Sequence, residues 1–335
     1  MANLASTALG RSPAQQAATL SGPIMPVRNA PVTNTDGDGR SQLKIFVQSF
    51  REHRAAWISL WVLAGVALAC IVLPMVLPWD PTESDYRILD ARPPSAAHPL
   101  GTDPLGRDVL SRLVSAGRIS LLIGLMVALI SASVGALVGI SAGYFGGRTD
   151  GFLMWIVNVL MTLPPLVLLI ALSSVAASDS GTASHVFQAV PPEWRIIVIM
   201  SLLGWMAISR VVRSQVVSLR KQEFVEAAIA LGGSHRRVMT VHILPNTVSI
   251  LAVFTTLTVS TAIMSESALS FLGVGVMPPT ATWGNMLLEA RDVFSAINYW
   301  WLTWFPACAI LVTVLCVNFI GDGMRDAFDP HGRGR

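Results

Sequence analysis

The stretch EFVEAAIALGGSHRRVMTVHILPN, residues 223–246, differs from the rest of the chain because it is polar and glycine-broken. Its first half, which contains Phe224 and is rich in alanine, favours a helix that ends at Gly232, since glycine commonly follows a helix end. Ser234 can cap a second helix, near whose end Pro245 lies. So short a pair cannot bury its apolar face alone, and it must therefore pack on its own bundle or on a partner.

On both sides of this stretch the composition is typical of a membrane protein. The chain is 53% hydrophobic and 13% charged, whereas soluble domains carry about 25% charged residues. A helix needs about 20 apolar residues to cross a bilayer core. Six segments meet that need and predict an all-α integral membrane protein: 57–78, 118–143, 151–177, 194–215, 247–272 and 300–320. Pro164 and Pro165 should kink the third.

The distribution of lysine and arginine favours an orientation with both termini in the cytoplasm. In that orientation the inner segments carry 16 basic residues and the outer segments carry 7. Residues 1–43, polar and without an apolar core, are expected to form a disordered cytoplasmic tail, and residues 321–335 a cytoplasmic C-terminal tail. The core transmembrane domain is then 117–320, and its segment 216–246 lies on the cytoplasmic side.

Residues 44–116 are expected to hold the first membrane helix and an extracytoplasmic amphipathic segment. Asp103, followed by Pro104, is typical of a helix N-cap with proline at the first helical position. Apolar residues then recur at helical spacing, as expected for a short helix at the outer surface: Leu105, Val109, Leu110, Leu113 and Val114. Two roles are open to this helix, packing on the bundle and docking of a receptor.

Several kinds of chemistry are excluded by missing motifs. The only lysines, Lys44 and Lys221, do not follow a glycine-rich turn, so the chain has no P-loop for ATP. The three cysteines lie in apolar runs without a CxxC or Cys/His cluster, which argues against a metal site. No basic patch is interleaved with aromatics, which argues against nucleic acid. An enzyme is therefore not expected.

Among the polar residues within the predicted spans, three are candidates for interior or cavity-lining positions: Asn158, Glu266 and Asn318. Such residues hydrogen-bond neighbouring helices or line a wet cavity. A single carboxylate, Glu266, without an evident intramembrane basic partner gives little support to a proton-coupled secondary transporter. That class stays the alternative to a partner-driven permease, and a purely structural membrane scaffold is a second alternative.

The opening stretch resembles the EAA loop of bacterial ABC importer permeases. It has Glu226-Ala227-Ala228, then Gly232, then Leu244-Pro245 at the spacing of that family. His242 stands where the general pattern has isoleucine. Three further stretches are similar to the second, C-type permease subunit of dipeptide, oligopeptide and nickel importers: HPLGTDPLGRDVLSRL (98–113), SFLGVGVMPPTATWGNML (270–287) and NFIGDGMRDAFDP (318–330).

The resemblance implies a six-helix permease of the bacterial cytoplasmic membrane that moves peptides inward. Its partners would be a homologous permease, two ATPase subunits that bind ATP and magnesium, an extracytoplasmic solute-binding protein and membrane lipid. This chain would hold no cofactor. By the same resemblance, Glu226, Ala227, Ala228 and Gly232 would form a coupling helix on the ATPase, while Leu244 and Pro245 fix the return to the fifth span. Nickel, glutathione and opines stay open as substrates.

Overall fold

A computed structural model describes residues 42–84, 90–177, 190–291 and 297–328 of the chain. Contacts divide the chain into two units, residues 1–43 and 44–335. All but Gln42 and Leu43 of the first unit lies outside the described residues, and with it almost all of the tail that the sequence predicts to be disordered. The second unit contains the helical bundle.

Helices make up almost all of the described structure. Their bounds in chain order are α1 Gln42–Glu52, α2 Arg54–Val76, α3 Val109–Phe145, α4 Gly147–Thr162, α5 Pro165–Ala177, α6 Pro192–Leu219, α7 Glu223–Ala230, α8 Leu244–Phe271, α9 Trp283–Glu289 and α10 Trp300–Phe328. A helical turn, His235–Arg237, and a π-helix, Val238–Ile243, lead directly into α8. Five helices are long and apolar enough to cross a membrane, and α4 with α5 makes up to a sixth.

The third predicted span is broken rather than gently kinked. Helices α4 and α5 meet at 86°, and the break falls at Pro164 and Pro165. The cause is local, because a proline has no backbone N–H and restricts the residue before it to extended conformations. The predicted interruption of the span 151–177 at Pro164 and Pro165 is therefore confirmed, and the bend there is large.

Helices α3 and α6 form the centre of the bundle and pack very closely. Gly135, Gly139 and Gly143 lie along one edge of α3 at four-residue spacing. A Cβ on Gly139 would lie 2.6 Å from the carbonyl oxygen of Ser209, so only glycine permits this approach. Gly135 lies against Ile208, and Gly143, further along α3, lies against Val216, further along α6. The two helices are therefore parallel.

The parallel packing requires a membrane crossing between α3 and α6. The two ends of the described chain also lie together, because the rings of Phe46 and Phe328 have centroids 4.6 Å apart and His53 lies 3.6 Å from Asp326. Five crossings would put those ends on opposite sides of a membrane. The broken pair α4–α5 therefore supplies the sixth crossing.

Two helices run through the boundaries that the sequence suggests. The amphipathic segment is not a separate helix capped by Asp103, because Gly106 has a φ of +76° and holds 103–107 in a turn. Helix α3 begins at Val109 with Asp108 as its cap and continues unbroken through the predicted boundary at 116/117. At the other end, α10 runs through the predicted tail start at 321 as far as Phe328; residues 329–335 lie outside the described part.

Candidate functional site

The segment between α6 and α8 begins with α7, which ends in a Schellman motif. The N–H of Gly232 donates to Ile229 O and the N–H of Gly233 donates to Ala228 O, both at 3.0 Å. These are the two bonds that satisfy the last carbonyls of a helix. Gly232 has a φ of +80°, and a Cβ on Gly233 would lie 2.6 Å from Ala228 O. Gly232 is therefore favoured by its positive φ, whereas Gly233 is favoured because a side chain there would clash with Ala228 O.

The return to the membrane is helical throughout. Ser234 Oγ accepts the N–H of Arg237 at 3.4 Å, as the sequence predicts for a cap. The helix then widens into the π-helix, where the N–H of Leu244 reaches Met239 O, five residues back. Pro245 does not end this helix but stands at the start of α8. Because its ring would crowd the carbonyl four residues back, the wider π-turn explains how the helix continues through it.

Buried side chains hold the segment on the bundle. Val225, Val238 and Ile243 are fully buried in a core cluster with residues of α3 and α6, among them Tyr144 and Val216. The hydroxyl of Tyr144 hydrogen-bonds Nδ1 of His235 at 2.8 Å. The segment is therefore part of the folded bundle and not a solvated loop.

The opposite side of the segment exposes large apolar side chains. Leu231 is 89% exposed, and Phe224, Ile229 and Val241 are exposed as well. We call these four side chains the coupling surface. An apolar patch outside the membrane commonly marks a protein–protein contact, so this surface has the properties of a docking site.

The predicted coupling residues divide between the two sides of this segment. Glu226 and Ala227 are exposed beside the coupling surface, whereas Ala228 is partly buried against the bundle. Leu244 packs against the same cluster, and Pro245 is exposed. His242, half-buried, has its ring centroid 6.5 Å from that of Phe224, which places it next to the coupling surface.

The three polar residues of the spans lie away from this segment. Asn158 on α4 is exposed and accepts a hydrogen bond from Arg210 of α6 at 2.5 Å. Glu266 is fully buried near the C-terminal end of α8, where Ser270 Oγ donates to its Oε1 at 2.7 Å. Asn318 is half-buried on α10. The structure therefore does not gather them into one site.

A network of ion pairs closes the end of the bundle opposite α7; we call this end the outer end and the end that carries α7 the inner end. Arg112 at the start of α3 contacts Asp103 at 2.5 Å and Glu289 at 2.5 and 2.8 Å. Arg107 joins both carboxylates, at 2.6 Å to Asp103 and 3.1 Å to Glu289. Burial by itself would raise the pKa of the Glu289 carboxyl, but hydrogen bonds and charge from Arg112 and Arg107 outweigh it and hold that pKa below its ordinary value.

Trp283, close to this network in the sequence, joins two of the stretches on which the resemblance rests. The indole Nε1 of Trp283 donates to Leu113 O at 3.0 Å, and its backbone N–H donates to Ser120 Oγ at 3.2 Å. Sequence reasoning missed both the network and the Trp283 contacts, because Glu289 lies 177 residues from Arg112. It missed the glycine row of α3 as well, although four-residue glycine spacing in a span is a readable signal of close packing.

Comparison with known sequences identifies the family of the chain. Residues 135–334 match the family described as the binding-protein-dependent transport system inner membrane component. The chain belongs to this family. Residues 41–94 match the N-terminal transmembrane domain of oligopeptide transport permease C. The protein is thus a multi-pass permease subunit of the inner membrane, and its family membership agrees with the EAA-type segment at 223–246.

Individual relatives cover nearly the whole chain. An oligopeptide transport system permease protein of Mycobacterium tuberculosis is 36% identical over 293 residues, which are 88% of this chain and 96% of that protein. One of Haemophilus influenzae is 35% identical over 297 residues, 88% of this chain and 91% of that protein. A Brucella suis protein with the provisional name of peptide permease is 39% identical over 281 residues, 84% and 88% of the two chains.

Proposed function

We propose that the chain is one of two permease subunits of an ATP-driven importer that carries peptides into the cell. Peptides are favoured because the relatives from Mycobacterium tuberculosis and Haemophilus influenzae are named oligopeptide transport permeases. The partners would be a homologous permease, two ATPase subunits and an extracytoplasmic binding protein. This chain has no glycine-lysine-serine/threonine sequence for ATP phosphates, which assigns hydrolysis to a partner.

The coupling surface carries this proposal. It lies on a segment that is fixed to the bundle by Val225, Val238 and Ile243 and that presents Leu231 and Phe224 outward. A rigidly anchored apolar patch can transmit motion from a docked partner to α6 and α8, on either side of it in the chain. Alternating access would result: closure of the ATPase pair moves the coupling segments together and tilts the spans, and hydrolysis reverses the movement.

The same segment sets the orientation in this proposal. If α7 docks on a cytoplasmic ATPase, the ends of α3 and α6 that contact it face the cytoplasm. The ends of the described chain at Phe46 and Phe328 then lie inside too, because six crossings return the chain to the side from which it starts. The excess of basic residues in the inner segments favours this orientation.

The test is to place a charge on the coupling surface. We expect Leu231→Asp to insert normally but to lose ATPase subunits on co-purification and to lose ATP-dependent peptide uptake. Leu105→Asp is the matched control, because Leu105 is 53% exposed in the turn before α3, away from the segment, and should keep both. Retention of the ATPase subunits by Leu231→Asp would refute the docking role. Uptake that persists without any ATPase subunit would indicate a stand-alone carrier.

A further inference from the structure

A cavity of about 340 Å³ lies where α5, the start of α6 and the turn after α8 meet. This volume falls in the range of small-molecule sites, about 300–1,000 Å³. Its wall is mainly apolar and includes a few polar groups; the lining residues include Ser173, Ser174, Arg195, Ile196, Ile199 and Met277. In the proposed orientation the cavity is on the extracytoplasmic side, distant from the coupling surface.

Arg195 brings a positive charge to this cavity. Its Nε donates to the carbonyl oxygen of Val190 at 2.9 Å, which fixes the plane of the guanidinium. Within the described ranges its two terminal nitrogens have no acceptor, and no carboxylate lies within ion-pair distance of them. A guanidinium held in this way presents two parallel donors, the arrangement that binds a carboxylate.

Ser173 supplies a second, independent indication of a ligand. Its side chain is 5% exposed, and among the described residues its Oγ has no hydrogen-bond partner. A buried hydroxyl without a partner is unfavourable, by about 1–3 kcal/mol, and such groups are uncommon in folded proteins. Since this residue lines the cavity, an acceptor or donor bound there would satisfy it.

The turn after α8 forms another part of the cavity wall, and internal hydrogen bonds hold this turn in place. Gly273, with a φ of +79°, ends α8 in a Schellman motif. The N–H of Val276 donates to Ser270 Oγ at 3.2 Å, and Ser270 in turn donates to Glu266. Glu266 therefore acts on the cavity indirectly, by holding through Ser270 the turn that forms its wall.

We propose that this cavity binds the terminal carboxylate of the transported peptide, with Arg195 as the cationic contact and Ser173 as a hydroxyl contact. The inference rests on the proposed function, and it names a contact on the path of the substrate. The apolar wall formed by Ile196, Ile199 and Met277 would receive the last side chain of the peptide. A peptide meets this site as it enters from the extracytoplasmic side.

The experiment compares a peptide that has a free carboxyl terminus with the same peptide amidated. The complete importer with its binding protein is reconstituted in liposomes of zwitterionic lipid, so that an anionic headgroup cannot be the ligand. We expect Arg195→Gln to lower the uptake of the free acid about tenfold, since charge-assisted hydrogen bonds are the strong ones, and to leave the amide unchanged. Ser173→Ala should lower uptake of the free acid about threefold.

The binding protein is the same in every sample, so its own preference cancels when each variant is divided by the unaltered importer. Arg291→Ala is the control, because Arg291 is exposed on the same side and should affect neither peptide. Equal losses for the acid and the amide, or no loss for either, would overturn the carboxylate site while leaving the importer intact. Absence of ATP-dependent uptake by the unaltered importer would overturn the proposed function itself, and this inference with it.

Discussion

At the outer end of the bundle, Arg112 is enclosed by two carboxylates and is 5% exposed, whereas at the inner end Leu231 is 89% exposed. The outer end pairs its charges within the chain, across elements as distant as α3 and α9. The inner end buries only one side of its segment and leaves the other side apolar.

The difference shows which end depends on other subunits. Where charges are paired inside the chain, removing one partner leaves another buried charge uncompensated and destabilises the fold. Apolar side chains that are exposed on the segment do not stabilise the isolated chain. Their burial under a partner subunit is favourable, because it removes apolar surface from water. Mutations at the outer end should therefore change stability, and mutations on the inner surface should change assembly.

The largest effect is expected from Arg112→Ala. This change leaves Asp103 and Glu289 with Arg107 as their shared cation but without the buried Arg112, and breaking a buried ion pair costs about 3–5 kcal/mol. The thermal midpoint of the purified permease should fall by several degrees or the protein should fail to accumulate. Thermal unfolding in detergent, followed by intrinsic tryptophan fluorescence, measures this.

Arg118→Ala is the matched control for the outer end. Arg118 lies on the same helix, further along, and is exposed, so its removal should change the free energy of unfolding by less than about 0.5 kcal/mol. Equal midpoints for the two variants would show that the network adds nothing to stability, and the contrast between the two ends would be lost.

An intermediate effect is expected from Val225→Ala at the inner end. Val225 is the fully buried side chain of α7, and truncating a buried valine costs about 2 kcal/mol. Because α7 is short and packs through few side chains, the loss should appear as local opening, with faster hydrogen exchange over α7 and little change in the global midpoint. Hydrogen exchange followed by mass spectrometry distinguishes local opening of α7 from global unfolding.

Leu231→Ala separates anchoring from docking in the same segment. Leu231 contributes to the coupling surface and is almost fully exposed, so exchange in α7 of the isolated permease should not change. Only the affinity for ATPase subunits should fall. If Val225→Ala and Leu231→Ala affected exchange alike, the distinction between an anchored side and a free side of the segment would be wrong.

Much of this arrangement could be predicted from the sequence, for a physical reason. Apolar run length fixes membrane helices, and Gly232 with Ser234 fixes a local turn through bonds between near neighbours. The helix–turn–helix prediction is confirmed in the structure. The predicted N-cap at Asp103 is wrong, because the carboxylate instead accepts the N–H groups of Leu105 and Arg107 and pairs with arginines.

Contacts between distant parts of the chain were beyond sequence reasoning. Nothing near Arg112 in the sequence indicates Glu289 as its partner, and nothing near Tyr144 indicates His235. The π-helix before Pro245 escapes prediction for another reason, since a Leu-Pro pair ordinarily indicates the end of a helix. A proline without an N–H can also be accommodated by a wider turn, and the choice depends on whether the helix is held on both sides of it.

The smallest effect is expected from Tyr144→Phe, which removes the hydrogen bond to His235 and leaves the ring in place. One such bond is worth about 1 kcal/mol, so exchange of amides in the turn His235–Arg237 should rise about fivefold while the global midpoint stays. Tyr299→Phe is the counterpart at the outer end, where its hydroxyl donates to Asp90 at 2.6 Å, and it should leave exchange in that turn unchanged. An equal response to both changes would mean that the turn reports global stability and that Tyr144 does not tie the coupling segment to α3.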